Sequence, residues 1–175
     1  MSQLIRLEDG RFYAADDRFT LVADDEPVPE GDVIVSLNRF QAEGEALASA
    51  CRLVGVRLEP HEAVEDLAYD LPTIPVVALN FAKFRDGRPY TSARLLRERF
   101  GYAGEVRAMG DVLREQALFM VRCGFDSFVP ADDSSSQQWT EATRRYRHVY
   151  QRAADVREPA FEERALAGVG DDHGL

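Results

Sequence analysis

The chain has 175 residues, of which 45% are hydrophobic and 30% charged, a composition typical of one soluble globular domain with its own core. Acidic residues outnumber basic ones by 31 to 21, and the net charge of −10 argues against nucleic acid or an anionic membrane as a partner, because both would be repelled. No apolar run approaches the roughly 18 residues of a membrane span, so we expect a cytoplasmic protein.

Residues 1–31 predict an N-terminal β-hairpin arm followed by a linker. Alternating apolar and polar residues flank the turn sequence Glu8-Asp9-Gly10, which is typical of a tight hairpin. The acidic, proline-containing residues 24–31 then resemble a linker. An arm of this kind lies outside the main domain and often pairs with a neighbouring subunit, so a homodimer is an expectation.

Residues 32–153 predict an α/β domain. Five short apolar strands alternate with longer amphipathic segments, which indicates a parallel sheet of about five strands with flanking helices. Both a doubly wound sheet and a partial (β/α) barrel fit this pattern. The strands are expected at 33–37, 54–58, 74–81, 105–109 and 125–129, and the helices at about 39–52, 61–69, 92–100 and 111–123.

The C-terminal part predicts one long helix and an acidic tail. The run QQWTEATRRYRHVYQRAADV is interpreted as a single C-terminal helix that begins after the serines at 134–136. Residues 154–175 carry more acids than bases and end in GVGDDHGL, so we expect them to be mobile.

The cysteine and histidine patterns do not indicate a metal or redox centre. Cys51 and Cys123 are 72 positions apart, and both are expected at helix C-termini, where a thiolate is disfavoured. We therefore predict inert buried thiols and no metal site. Glycine-rich dinucleotide and phosphate loops are also missing from the sequence, so no cofactor is expected.

One basic segment stands out in the acidic chain. Residues 83–107 hold seven basic and three acidic side chains, and Lys83 is the only lysine of the protein. Lys83 follows a predicted strand, so it lies in a loop at the carboxyl edge of the sheet, where α/β proteins bind ligands. With Arg88 and the N-terminus of the next helix, it predicts a site for a small oxyanion or phosphate.

A second loop should lie beside the first, because the next strand ends at Met109 and is followed by Asp111. On one interpretation, Asp111 joins Asp86 and Arg88 in a polar binding cluster. On the other, Asp86 belongs to a turn, Asp111 caps a helix, and the arginines pair with glutamates on a solvated helix face. The sequence leaves both open.

The stretch FAKFRDGRPYTSARLLRERFGYAGEVRAMGDVLREQALFMVRCGFDSF (81–128) resembles the signature of a bacterial family known as domain of unknown function 934. A weaker resemblance extends over about residues 30–150. The chain departs from the pattern at Pro89, where glycine is usual, and at Thr91, where serine is usual. The matching positions carried over as candidate ligand-binding residues are Lys83, Asp86, Arg88, Tyr90, Arg94, Arg97, Arg107 and Asp111.

The resemblance also implies a pathway. Members of the family are commonly encoded beside sulfite reductase and other enzymes of assimilatory sulfate reduction, and some carry an oxidoreductase label for which this sequence offers no redox site. The favoured expectation is an accessory protein that docks on sulfite reductase or its electron donor, or that senses an oxyanion. The alternative is a small α/β enzyme acting on a phosphorylated or sulfur-containing anion, with Lys83, Arg88 and Arg94 binding it. In that case Asp86 or Asp111 would be the base.

Overall fold

An eight-stranded mixed sheet organises the protein, as a computed structural model describes it for residues 3–50, 52–146, 148–155 and 157–168. The expected five-stranded parallel sheet is therefore wrong in strand number, although its five strands are present as neighbours. The strands in chain order are β1 (Leu4–Glu8), β2 (Arg11–Ala15), β3 (Phe19–Leu21), β4 (Asp32–Ser36), β5 (Val54–Leu58), β6 (Val76–Phe81), β7 (Glu105–Gly110) and β8 (Ser127–Phe128).

Strands β3 to β8 are parallel and lie side by side in chain order. A doubly wound sheet reverses its strand order, whereas β3 to β8 follow the order of the chain, as the strands of a (β/α) barrel also do. Right-handed crossovers between sequential strands place every connecting helix on the same face.

The N-terminal hairpin is part of the sheet and not an arm outside it. Strand β2 pairs with β1, and β1 runs antiparallel to β8, with Ile5 opposite Phe128. Both side chains are fully buried, so the hairpin completes the core. The argument from a free arm to a homodimer loses its basis, and the homodimer stays a prediction.

The sheet curls toward its helix-free face. Phe19 on β3 and Arg107 on β7 are four strand spacings apart, about 19 Å in a flat sheet. The guanidinium carbon of Arg107 nevertheless lies 5.8 Å from the centre of the Phe19 ring, and Arg107 Nη1 lies 2.8 Å from Asp17 Oδ2. The curl buries Phe19 with Ile34 and Val76 on the face away from the described helices.

Helices cover the other face and enclose the main core. Alternate strand residues such as Val77, Leu79 and Phe81 point toward them. The helical segments are α1 (Leu37–Ser49), a 3-10 turn (Val64–Leu67), α2 (Arg88–Arg94), a π turn continuing α2 (Leu95–Arg99), a 3-10 turn (Arg114–Gln116), α3 (Ala117–Cys123), α4 (Ser136–Arg144) and α5 (Ala160–Gly168). In the part of the chain that is described, no helix is long and apolar enough to cross a membrane.

The C-terminal prediction is wrong in its helix boundaries. Helix α4 ends at Arg144, and a separate helix of the same length, α5, forms inside the predicted tail. The intervening chain is held instead by Arg122, whose carbonyl oxygen accepts from Ala154 N at 3.0 Å and whose Nη1 lies 3.2 Å from Asp155 Oδ1. These tertiary contacts outweigh helix propensity. The predicted mobility of residues 169–175 concerns positions outside the described residues.

Candidate functional site

The loop at residues 82–87 follows β6 at the carboxyl edge of the sheet, beside the end of β7. Asp111, which follows β7, is bonded to the end of β6 and to the loop after it. Its backbone N–H donates to Phe81 O at 2.8 Å, and its Oδ2 accepts from Phe84 N at 2.8 Å. Gln116 adds a second clamp by donating from Nε2 to Phe84 O at 3.1 Å. Asp111 thus does face the loop, but it binds the backbone and not Lys83 or Arg88.

Gly110 allows the end of β7 to lie close to the end of β6. Its φ of +92° lies in the left-handed region, and a Cβ there would fall 2.4 Å from Phe81 O. Any side chain at this position would push the β6 end away from Asp111.

Asp86 and Arg88 form an ion pair within the loop. Asp86 Oδ2 lies 2.7 Å from Arg88 Nη2, and Oδ1 accepts from both Nε and the backbone N of Arg88. Hydrogen bonding to Arg88 lowers the pKa of Asp86 and raises the pKa of Arg88. Lys83 and Arg85, by contrast, are exposed, and their side chains form no hydrogen bond or ion pair with any described residue.

Tyr90 anchors the loop to the core. Its hydroxyl accepts from Gln116 Nε2 at 3.0 Å, and its ring centre lies 5.1 Å from that of Phe81 and 4.6 Å from that of Phe119. Burial raises the pKa of Tyr90 to about 12, so the phenol is neutral at physiological pH. Its position suits packing and orientation better than proton transfer.

Two exposed aromatic side chains flank this anchor. Phe84 is 42% exposed and Phe119 is 58% exposed, and both are joined to Tyr90, the first through Gln116 and the second by direct ring contact. Neither ring was predicted as a site residue from the sequence, because a phenylalanine in an apolar stretch is normally a core residue. Together they form what we call the loop-edge surface: Lys83, Phe84, Arg85, Arg88, Tyr90 and Phe119.

Arg94 and Arg97 lie outside this surface. Arg94 is exposed and pairs with Glu98 one helical turn away, at 3.0 Å, and that glutamate raises its pKa. Arg97 lies toward the amino ends of the strands, where its Nη2 is 2.6 Å from Asp126 Oδ2 and its Nε donates to Gly124 O at 3.0 Å. Arg97 fastens two loops together and has little capacity left for a ligand.

Arg107 lies on the opposite, helix-free face. Only 3% of its side chain is exposed, and it binds Asp17 through Nη1 at 2.8 Å and Glu105 through Nε at 2.8 Å. The structure therefore does not bring the eight candidates into one site. Five of them surround the loop, while Arg94, Arg97 and Arg107 are engaged elsewhere.

A second cluster of polar side chains lies on the helix-free face, at the carboxyl ends of β5 and β6. Glu59 Oε2 accepts from Asn80 Nδ2 at 2.7 Å, and Glu59 Oε1 lies 3.1 Å from Arg57 Nε. The sequence signal for this cluster is the presence of Arg57 and Asn80, two polar residues, inside strands that are otherwise apolar, and no prediction was made from it.

The buried thiol is unsuited to chemistry. Cys123 is 4% exposed, and burial raises the pKa of its thiol to about 11. Cys51 lies outside the described residues. Among the residues that are described, no group of three or more His, Cys, Asp or Glu side chains could hold a metal ion.

The fold and the site define a mixed α/β protein with one helical layer and a clamped basic loop at the carboxyl edge of its sheet. Over residues 55–161 the chain matches the family described as "Bacterial protein of unknown function (DUF934)". That match covers more than half of the chain, and the protein belongs to this family, as the resemblance of residues 81–128 predicted. No curated protein matches the chain.

Proposed function

We propose that this protein is a non-catalytic accessory of assimilatory sulfite reduction, which docks on sulfite reductase through the loop-edge surface. The pathway follows from the family resemblance of residues 81–128. The observation that carries the docking mode is the pair of exposed rings, Phe84 and Phe119, set among the cations of a clamped loop.

The composition of this surface suits a protein partner. Aromatic and arginine side chains dominate the binding energy of protein interfaces, while a polar rim excludes water. Phe84 and Phe119 supply exposed apolar surface, and Lys83, Arg85 and Arg88, in and next to the loop that holds Phe84, supply exposed positive charge. A positive surface on a protein of net charge −10 orients the molecule toward an acidic partner surface during encounter.

The loop also needs little ordering on binding. Asp111 and Gln116 hold its backbone at Phe84, and the Asp86–Arg88 pair fixes its far end. Because the entropy of ordering a loop is subtracted from binding energy, a clamped loop binds more tightly than a free one with the same side chains.

The single lysine offers a direct test. Carbodiimide cross-linking joins amines to carboxylates, and beyond the chain's amino terminus the only amine of this protein is Lys83. Sulfite reductase from the same organism is activated with carbodiimide, the excess reagent is removed, and the protein is added at low salt, so that only the carboxylates of the reductase react. The cross-link should then map to Lys83 of this chain. A parallel reaction contains the electron donor in place of the reductase, and cross-linking to the donor alone would reassign the partner. Absence of any complex at low salt would overturn the proposal.

Two charge-reversal variants, one on the loop-edge surface and one away from it, test the role of the loop against a matched control. Arg85 and Arg11 are both exposed and form no side-chain hydrogen bond or ion pair within the described chain, but Arg11 lies on β2, away from the loop. Arg85→Glu should weaken reductase binding about tenfold or more, whereas Arg11→Glu should leave it within about twofold. Equal effects of the two variants would mean that only net charge matters.

Thermal unfolding with small anions separates the docking function from the small-enzyme alternative. Sulfite, sulfate, phosphate and adenosine phosphosulfate are added in turn, and docking alone predicts no shift. A ligand at a hundred times its dissociation constant would add about 2.7 kcal/mol, or roughly 5–11 °C at this chain length. A shift of that size that disappears in Arg88→Ala would favour the enzyme or sensor.

A further inference from the structure

A cavity of about 690 Å³ lies at the amino end of β8, whereas the loop-edge surface lies at the carboxyl ends of the parallel strands. It opens between the β1–β2 hairpin, α3, α4 and residues 154, 155 and 157. Its volume falls within the roughly 300–1,000 Å³ of small-molecule sites. Its apolar lining includes Leu7, Phe12, Leu118, Val121 and Phe125.

The floor of this cavity is apolar and continuous with the main core. Phe12 and Phe125 are buried members of that core. Leu7, Leu118 and Val121 are only half-buried, so they present apolar surface to the cavity. Exposed apolar surface in a concave site is stabilised by an apolar occupant, since covering it removes that surface from water.

Five charged side chains line the cavity, and they differ in availability. Asp155 is paired with Arg122 at 3.2 Å, and Arg157 donates from Nη2 to Tyr146 O at 2.8 Å. Arg97 and Asp126 bind each other at 2.6 Å, and Asp126 Oδ1 also accepts from Val106 N at 2.9 Å, so this pair forms a satisfied wall. Arg144 at the end of α4 is exposed and makes no hydrogen bond or ion pair with the described residues. It is therefore a cation at the rim that is available to an anionic head group.

We propose that this cavity binds an amphipathic organic anion, with its apolar body against Leu118 and Val121 and its single carboxylate or sulfonate at Arg144. The apolar floor supplies affinity, and the rim cation fixes orientation through a charge-assisted hydrogen bond. The site is independent of the loop-edge surface, so either proposal can fail without the other.

Isothermal titration with decanoate tests the site, because decanoate carries both required parts. Below its micelle-forming concentration it should bind saturably with one-to-one stoichiometry. Acetate, which lacks the apolar body, should not bind detectably, and decanol, which lacks the charge, should bind about tenfold more weakly than decanoate. Naphthoate in a parallel titration distinguishes an aromatic body from an aliphatic one.

Two neighbouring arginines provide the control. Arg144→Gln should weaken decanoate binding about tenfold, whereas Arg145→Gln, an exposed neighbour that does not line the cavity, should leave it unchanged. Leu118→Trp should abolish binding by filling the cavity, with Leu118→Met as the volume control. The proposal fails if no saturable binding occurs, or if Arg144→Gln and Arg145→Gln weaken it equally.

Discussion

Replacing Arg107 by methionine tests whether this residue belongs to the framework or to a binding site. Its side chain is 3% exposed and donates to Asp17 at 2.8 and 3.1 Å and to Glu105 at 2.8 Å. Methionine keeps most of the apolar volume and removes the charge. The carboxylates of Asp17 and Glu105 then lose the hydrogen bonds that Arg107 donates to them.

The expected cost follows from those contacts. Removing one partner of a buried ion pair typically costs about 3–5 kcal/mol. The lower end applies here, because Glu105 keeps Arg6 and Ser127 as donors and the Asp17 side chain is 35% exposed to water. A loss of about 3 kcal/mol corresponds to a melting temperature lower by roughly 6–12 °C for a chain of this length.

Urea unfolding monitored by circular dichroism measures this loss, and Arg94→Met supplies the control. Arg94 loses the same charge from an exposed pair with Glu98, which is worth about 0.5 kcal/mol or less. At temperatures where it remains folded, Arg107→Met should still bind the reductase normally. A difference between the two variants below about 1 kcal/mol would refute the structural role of Arg107.

Two further predictions concern the loop junction and the buried thiol. Gly110→Ala should destabilise the protein by about 2 kcal/mol or more in urea unfolding, because its Cβ would meet Phe81 O, whereas Gly87→Ala, with open space around it, should cost less than about 1 kcal/mol. Similar losses in both variants would contradict this argument. In a Cys51→Ser background, Cys123 should react with a disulfide reagent at pH 8 at least about a hundredfold more slowly in the native than in the denatured protein. Its pKa is raised from 9.0 to about 11, so the associated stability is present below pH 9 and decreases as the pH rises toward 11; comparable reaction rates would show that the thiol is accessible.

The candidate site shows where sequence reasoning reaches its limit. Residues 83–90 could be placed at the carboxyl edge from local pattern, because a loop that follows an apolar strand must start there. The partners of Arg97 and Arg107 could not be predicted, since Asp126 and Asp17 are distant along the chain and meet them only through the curl and the loop packing. The exposure of Phe119 was equally hidden, because a helix of seven apolar or long residues does not reveal which side remains uncovered.

The sequence by itself determined the α/β class, the five central strands, the hairpin turn and the family, because each depends on local periodicity, turn residues or a contiguous motif. Tertiary structure alone decided that the hairpin joins β8, that Phe19 belongs to a sixth parallel strand, and that the segment after Arg144 leaves the helix to meet Arg122. These outcomes depend on pairing between segments far apart in the chain. Strand pairing and ion pairing of that kind carry no periodic signal, and they are selected by the burial that the complete sheet makes possible.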